Sequence, residues 1–274
     1  MRPAARALAF VVVSAAALVS ASVLMYFPVV VWHRYRPPEV TSVMRYRAAE
    51  ARASGEPWRL RYDWVPLDRI SPHMERAVLA AEDSRFYEHR GFDLEQIQAA
   101  WERRERGGEL RGASTITQQT VKNLYLTPRR SLLRKIREAA LTAWMELWLP
   151  KRRILELYLN IVELGPGVFG VEAAARGYFD RPAARLTPSQ AALLAATLPA
   201  PLLRNPARPT PGLRRLQALV LRRMERWYGS GERIEPPSPA AAPARRPSVP
   251  LELPAEATEA PLAPADTPVE GEVP

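Results

Sequence analysis

The sequence of 274 residues contains no cysteine and only three histidines, His33, His73 and His89. Without cysteine, the chain cannot form disulfide bonds, thiolate nucleophiles or cysteine-based zinc sites. The histidines lie far apart in the sequence, which also disfavours a histidine-rich metal centre. Disulfide, thiolate and cysteine- or histidine-rich metal chemistry is therefore not expected of this chain.

Lysine is almost absent as well. The chain has only Lys122, Lys135 and Lys151, which all fall within about thirty residues, whereas arginine supplies the remaining basic side chains. A lysine kept in such an arginine-rich chain indicates a place where a compact ammonium suits better than a planar guanidinium. Chance clustering is the alternative interpretation.

The positive charge is unevenly distributed. The net charge is +10, yet from Glu235 onward seven acidic residues face two arginines, so the rest of the chain carries about +15. A basic body predicts an anionic partner: nucleic acid, anionic lipid headgroups or a phosphate-bearing substrate. A general codon bias toward arginine would explain the same charge without a partner.

A long uncharged run lies near the N-terminus, from Ala7 to Trp32. At about 1.5 Å per residue it can cross a hydrocarbon core of roughly 30 Å, so residues 7–32 are predicted to be a single transmembrane helix after a short N-terminus, 1–6. A cleaved signal peptide is the alternative, but its apolar region is usually about 7 to 15 residues. Residues 33–56 are predicted to form a juxtamembrane linker.

Residues 57–232 are predicted to form one mainly α-helical domain, and the tail 233–274, rich in proline and alanine, is predicted to be disordered. The alternation from Trp58 to Trp64 predicts a short strand. A cap and a proline at Ser71–Pro72 predict a helix that ends near Glu82, and helical spacing runs from Leu132 to Leu164 with a break at Pro150. A capping box at Thr187–Gln190 predicts another helix, and the last predicted helix spans Leu213 to Tyr228.

Two stretches in the first half of this domain could carry chemistry. Glu82–Asp93 places acids and one histidine at the end of an apolar helix, where a carboxylate tends to have a raised pKa suited to acid–base work. Gly112–Asn123 combines small, hydroxylated and amide residues suited to a hydroxyl-rich or phosphate ligand. A solvated helix end and an ordinary capped helix are the respective alternatives.

Two further stretches follow. Arg129–Glu138 contains five cations in nine residues, which could hold a diphosphate, or else form a solvated helix face near lipid headgroups. Lys151–Asn160 places Glu156 and Asn160 four residues apart on one helix face. Glu156 would supply the second carboxylate that sugar chemistry often requires, unless the helix is simply amphipathic.

Taken in order, these stretches resemble the peptidoglycan glycosyltransferase family, a lysozyme-like helical domain that polymerises lipid II, and in particular its monofunctional biosynthetic branch. The resemblance covers about residues 40–228. It is carried by Glu82-Asp-xx-Phe86-xx-His89-x-Gly91-x-Asp93, Gly112-x-Ser-Thr-Ile-Thr-Gln-Gln119, Arg134-Lys135-xx-Glu138 and Lys151-xx-Ile154-xxx-Tyr158-x-Asn160.

The resemblance implies roles for individual residues. Glu82 would be the base that takes the proton from the acceptor 4-hydroxyl, and Glu156 would be a second carboxylate near the donor diphosphate. The inverting reaction would form a β-1,4 linkage and release polyprenyl diphosphate. The residues expected to line the cleft are Ser114, Thr115, Gln118, Gln119 and Asn160, and those expected to bind substrate or leaving diphosphate are Lys122, Arg130, Arg134 and Lys135.

The resemblance also implies partners and location. Lipid II, the growing glycan strand and the membrane are expected partners, together with cell-wall synthesis or division proteins, but not nucleic acid. The N-terminus would be cytoplasmic and the domain periplasmic, on a single-pass protein of the bacterial inner membrane. The resemblance implies no particular cofactor, although a divalent cation, Mg²⁺ or Mn²⁺, could bind at the diphosphate. The competing hypotheses are a lysozyme-like glycan-cleaving enzyme and a non-catalytic membrane scaffold.

Overall fold

The computed structural model describes residues 3–106, 114–129 and 131–228, and this part of the chain is mainly α-helical. The helices are α1 (Pro3–Trp32), α2 (Ser42–Ser54), α3 (Pro72–Glu82), α4 (Leu94–Glu105), α5 (Ile116–Tyr125), α6 (Leu132–Trp148), α7 (Lys151–Ile161), α8 (Val171–Phe179), α9 (Pro188–Thr197) and α10 (Pro211–Tyr228). The strands are β1 (Arg61–Tyr62), β2 (Glu163–Gly165) and β3 (Val168–Phe169), and short 3-10 turns occur at Leu67–Arg69 and Ala183–Arg185.

Local side-chain signals set most of the helix boundaries. Ser71 caps α3, whose first residue is Pro72, and Thr187 caps α9 through a capping box with Gln190. Helix α6 stops before Pro150, because a proline disfavours helical geometry in the residue that precedes it. The predicted starts of α3 and α9 and the break between α6 and α7 are therefore confirmed.

Helix α9 lies at the centre of one layer of the domain. It contains no charged residue, and its residues Ala191 to Thr197 are all buried. It packs against both α3 and α10, which also contact each other, and Met74, Ala77 and Val78 of α3 are completely buried. Small side chains let these helices approach closely, so the end of α3 is held on a tightly packed support.

The second layer is built from α5, α6 and α7, with α5 packed against both of the others. Helix α7 buries its apolar face completely, including Ile154, Leu157 and Tyr158. Helix α1 packs along α6, where the Phe27 ring makes edge-on contacts with Trp144 and Trp148. The two layers leave the end of α3 facing the side of α5.

A small sheet with strand order β1-β3-β2 closes one edge of the domain. Arg61 and Tyr62 pair in parallel with Val168 and Phe169, whereas β2 pairs with β3 in the antiparallel direction. The predicted strand at residues 58–64 is thus limited to two residues. Strands β2 and β3 were not predicted, because they are only three and two residues long and β2 overlaps the end of the predicted helical spacing.

The segments predicted outside the helical domain are the anchor, the linker and the tail. Residues 3–32 form helix α1. Within the described ranges, however, no helix is long and apolar enough to cross a membrane, so the transmembrane anchor at residues 7–32 remains a prediction. The segment predicted to be a linker, 33–56, contains the capped helix α2, which packs against α5. The predicted tail, 233–274, lies outside the described residues.

Candidate functional site

The last residue of α3, Glu82, is half-buried at the point where the helix ends. Its carboxylate Oε2 accepts a hydrogen bond from the Gln119 amide Nε2 at 2.8 Å. Burial raises the pKa of Glu82, while the hydrogen bond from Gln119 and the charge of Lys122 act in the opposite direction. A carboxylate with a raised pKa that is not fully buried is suited to taking up a proton near neutral pH.

The next residue, Asp83, ties the end of α3 to the start of α5. Its Oδ2 accepts a hydrogen bond from the backbone N–H of Ile116 at 3.0 Å, and its Oδ1 lies 2.9 Å from His89 Nε2. The Thr115 hydroxyl adds a second tie by donating to the carbonyl of Gly91. These bonds fix α5 at an angle that brings Gln119 to Glu82.

Helix α5 uses part of the predicted polar stretch to begin the helix. Thr115 and Gln118 form a reciprocal capping box, in which each side chain accepts a hydrogen bond from the other residue's backbone N–H. Both side chains are buried, so the structure gives them a structural position. Ser114 is exposed, and Gln119 and Lys122, on successive turns, face the carboxylate of Glu82.

Cations from α5 and α6 meet around a buried carboxylate beside this pair. Glu138, which is only 3% exposed, accepts hydrogen bonds from Arg134 at 2.8 Å and from Lys135. Burial lowers the pKa of Lys122, while the charges of Glu138 and Glu82 oppose this shift. Three cations thus lie near two carboxylates, and this excess of positive charge favours the binding of an anion. Arg130, predicted to join them, lies outside the described residues.

The other two predicted residues on α7 contact a different segment. Glu156 accepts the backbone N–H of Leu67 at 2.9 Å and forms an ion pair with Arg153. Asn160 is completely buried and bonds both the N–H and the carbonyl of Val65, at 2.9 and 2.8 Å. Asn160 was predicted to line the cleft, but the structure gives it the role of a clamp on the Val65–Leu67 segment.

Glu156 keeps one open side. A cavity of about 320 Å³ lies between α7 and the 3-10 turn. Its lining residues are Leu67, Asp68, Pro150, Arg152, Arg153 and Glu156. Glu156 therefore borders space that a ligand could enter, whereas Asn160 does not.

Two residues near the site, Tyr158 and Lys151, were not among the predicted site residues. Tyr158 is completely buried and its hydroxyl donates to Gln119 Oε1 at 3.3 Å. The Lys151 ammonium lies 4.3 Å from the centroid of the Phe86 ring and 2.8 Å from Glu146 Oε1. Tyr158 repeats with the apolar spacing of α7, so its pattern indicates only core packing.

Asp83, His89 and Asp93 form a group that could hold a metal ion, with one donor atom from each lying within 4.8 Å of the others. The two oxygens of Asp83 already accept hydrogen bonds, and Asp93 Oδ1 caps α4 through the Gln96 N–H at 3.0 Å. These atoms are therefore engaged in holding α3, α4 and α5 together.

The fold and site define a helical domain in which a half-buried carboxylate lies beside a group of cations, an arrangement suited to proton removal next to a negatively charged leaving group. A family model described as "Transglycosylase" matches residues 52–225. The chain belongs to the transglycosylase family.

Curated relatives agree with this assignment. A protein of Rhodospirillum centenum named "Biosynthetic peptidoglycan transglycosylase" is 47% identical over 209 residues, covering 76% of this chain and 88% of the relative. A protein of the same name from Bordetella pertussis is 48% identical over 206 residues, covering 73% and 85%. One from Azoarcus sp. is 51% identical over 176 residues, covering 64% and 76%.

Proposed function

We propose that this chain is a peptidoglycan glycosyltransferase that polymerises lipid II into β-1,4-linked glycan strands and releases polyprenyl diphosphate, on a lysozyme-like helical domain. The family and the names of the relatives support this reaction. The single observation that carries the residue assignment is the position of Glu82, which is held by Gln119 beside Lys122 and the cations of α6.

In the proposed mechanism, Glu82 acts as the general base. It removes the proton from the 4-hydroxyl of the acceptor sugar as that oxygen forms a bond to the anomeric carbon of the donor. The bond from the anomeric carbon to the diphosphate oxygen breaks with its electron pair, and the configuration inverts. The proton remains on Glu82 until it is lost to solvent. A base of this kind typically contributes about 10²- to 10⁴-fold to the rate.

The leaving diphosphate is proposed to bind where the cations gather. Arg134 and Lys135 bond Glu138, and Lys122 interacts with both Glu138 and Glu82, so the negative charge that develops on the leaving group would be neutralised in place. Cations fixed before the reaction stabilise developing charge without reorganising. Arg130 and Ser114 remain proposed contacts to the substrate.

Glu156 is proposed to act from the neighbouring cavity. Its bonds to Leu67 and Arg153 hold the segment after β1 in place, and its open side borders the cavity. This arrangement fits a carboxylate that positions the donor end of the cleft.

We also propose that residues 7–32 anchor the chain in the inner membrane, with a cytoplasmic N-terminus and a periplasmic domain. The run is free of charged residues, and the end of α1 is docked on the domain. Arg34 donates to the carbonyl of Trp148, and Arg153 donates to that of His33, each at 2.8 Å. An anchor joined in this way would hold the cleft close to a lipid-linked donor.

The experiment is incubation of the purified full-length protein with fluorescent lipid II, followed by gel separation of the products. Glycan polymers that lysozyme digests are expected. Absence of polymer would refute the proposed reaction, and cleavage of preformed glycan by the same preparation would favour the glycan-cleaving alternative. Membrane fractionation with protease accessibility of the domain in spheroplasts tests the anchor separately.

A further inference from the structure

A buried tyrosine stands behind the carboxylate and the amide of the site. Tyr158, on α7, is completely buried, and its hydroxyl donates to Gln119 Oε1 at 3.3 Å. The other end of the same amide, Gln119 Nε2, donates to Glu82 Oε2 at 2.8 Å. Three side chains from α7, α5 and α3 therefore form one line of hydrogen bonds that ends on the proposed base.

The direction of this line follows from the chemistry of the groups. An ionised carboxylate can only accept hydrogen bonds, so Gln119 must turn its NH₂ toward Glu82 and its carbonyl oxygen toward the interior. The only hydroxyl bonded to that oxygen in the described part of the chain is that of Tyr158. The distance of 3.3 Å is long for such a bond, so its main effect is on the direction of the amide.

We propose that Tyr158 is a positioning residue of the transfer reaction, which holds the Gln119 amide in the orientation that keeps Glu82 able to accept a proton. The proposal rests on the proposed role of Glu82. If the amide turned around, its carbonyl oxygen would face Glu82 and accept a hydrogen bond from the protonated carboxyl, which would stabilise the form that cannot act as a base.

The surroundings of Glu82 make this effect measurable. Lys122 from α5 and Asp83 beside it act on its pKa in opposite directions. The packed helix α9 carries no charged side chain, and Arg223 of α10 donates to the backbone carbonyl of Ala80 at 3.4 Å. On the α6 side, the charged groups are Arg134, Lys135 and Glu138, which surround Lys122.

None of these groups changes when Tyr158 loses its hydroxyl. Tyr158→Phe keeps the ring that packs in the core and removes only the donor to Gln119. The chain also offers a matched control, because the Tyr125 hydroxyl on α5 is buried without a hydrogen-bond partner among the described residues. Tyr125→Phe therefore removes a buried hydroxyl that holds nothing.

The test compares full-length wild type, Tyr158→Phe and Tyr125→Phe in two measurements. The first is kcat/KM for lipid II polymerisation against pH, and the second is titration of the Glu82 carboxyl carbon by NMR without substrate, assigned with Glu82→Gln. In Tyr158→Phe, we expect the acidic limb of the kcat/KM profile and the midpoint of the Glu82 titration to shift to higher pH by about half a pH unit to one pH unit. Tyr125→Phe should match wild type in both.

An unmoved carboxyl titration in folded Tyr158→Phe would overturn the proposal. So would an activity loss equal at every pH, which would indicate a structural role alone. If the wild type made no polymer, the proposed reaction would fail, yet the titration would still report whether Tyr158 orients the amide. The two failures can therefore be told apart.

Discussion

Replacing Asn160 with alanine tests whether this side chain is a structural clamp or a substrate contact. Its side chain is completely buried and makes three hydrogen bonds, to the N–H and the carbonyl of Val65 and to the carbonyl of Glu156. Alanine would leave both backbone groups of Val65 without these partners. Each unsatisfied group costs about 1–3 kcal/mol when buried.

Val65 is only half-buried, so water would reach part of the freed backbone, and the expected loss is about 2–4 kcal/mol. For a domain of this size, that loss corresponds to a fall in Tm of roughly 5–15 °C. The assay is thermal unfolding followed by circular dichroism. The control is Asn123→Ala on α5, where the half-exposed side chain should cost less than about 0.5 kcal/mol.

The kinetic result separates the two interpretations. A clamp predicts a large fall in Tm and, below the transition, a KM for lipid II close to that of the wild type. A Tm equal to that of Asn123→Ala, combined with a raised KM, would refute the clamp and restore the prediction that Asn160 lines the cleft.

Three further outcomes follow from the same contacts. Glu82→Gln should raise the Tm at pH 7.5, because an ionised buried carboxyl with a raised pKa destabilises the fold above its unfolded pKa of about 4.3. The gain should shrink as the pH falls and disappear by about pH 3, where the carboxyl is protonated in both states. Lys122→Gln should slow polymerisation and shift the acidic limb of the kcat/KM profile to higher pH, because Lys122 lowers the pKa of Glu82. An acidic limb at the same pH as in the wild type would contradict this. Gly170→Ala should lower the unfolding free energy by at least about 2 kcal/mol in denaturant titration, because φ is +81° and a Cβ would collide with the Asn160 carbonyl oxygen. Gly177→Ala is its control, since a Cβ there meets only the tip of an arginine side chain.

The sequence was sufficient for elements with strong local signals. Ser71 with Pro72, and Thr187 with Gln190, mark helix starts through contacts within one turn, so the predicted starts agree with α3 and α9. The break at Pro150 is equally local. Strand β3 depends instead on pairing with β1, about a hundred residues earlier in the chain, and no local pattern reports such a contact.

The site was predictable at the level of residue type, but not of partner. Lys122, Arg134 and Lys135 were expected to bind substrate or diphosphate, whereas Glu138 was seen in the motif without a role, and only the fold shows that it is buried and accepts from Arg134 and Lys135. Gln118 and Gln119 are neighbours with the same chemistry, yet one caps α5 and the other meets Glu82. Their helical positions decide this, and the motif alone does not.

The most direct test of the central claim is the rate of glycan polymerisation by Glu82→Gln against a matched variant, Glu75→Gln. Both residues lie on α3, both are half-buried, and burial raises the pKa of each. With saturating lipid II, Glu75→Gln should keep a rate close to wild type, while Glu82→Gln should lose about 10²- to 10⁴-fold. Equal rates in the two variants would contradict the assignment of Glu82 as the base.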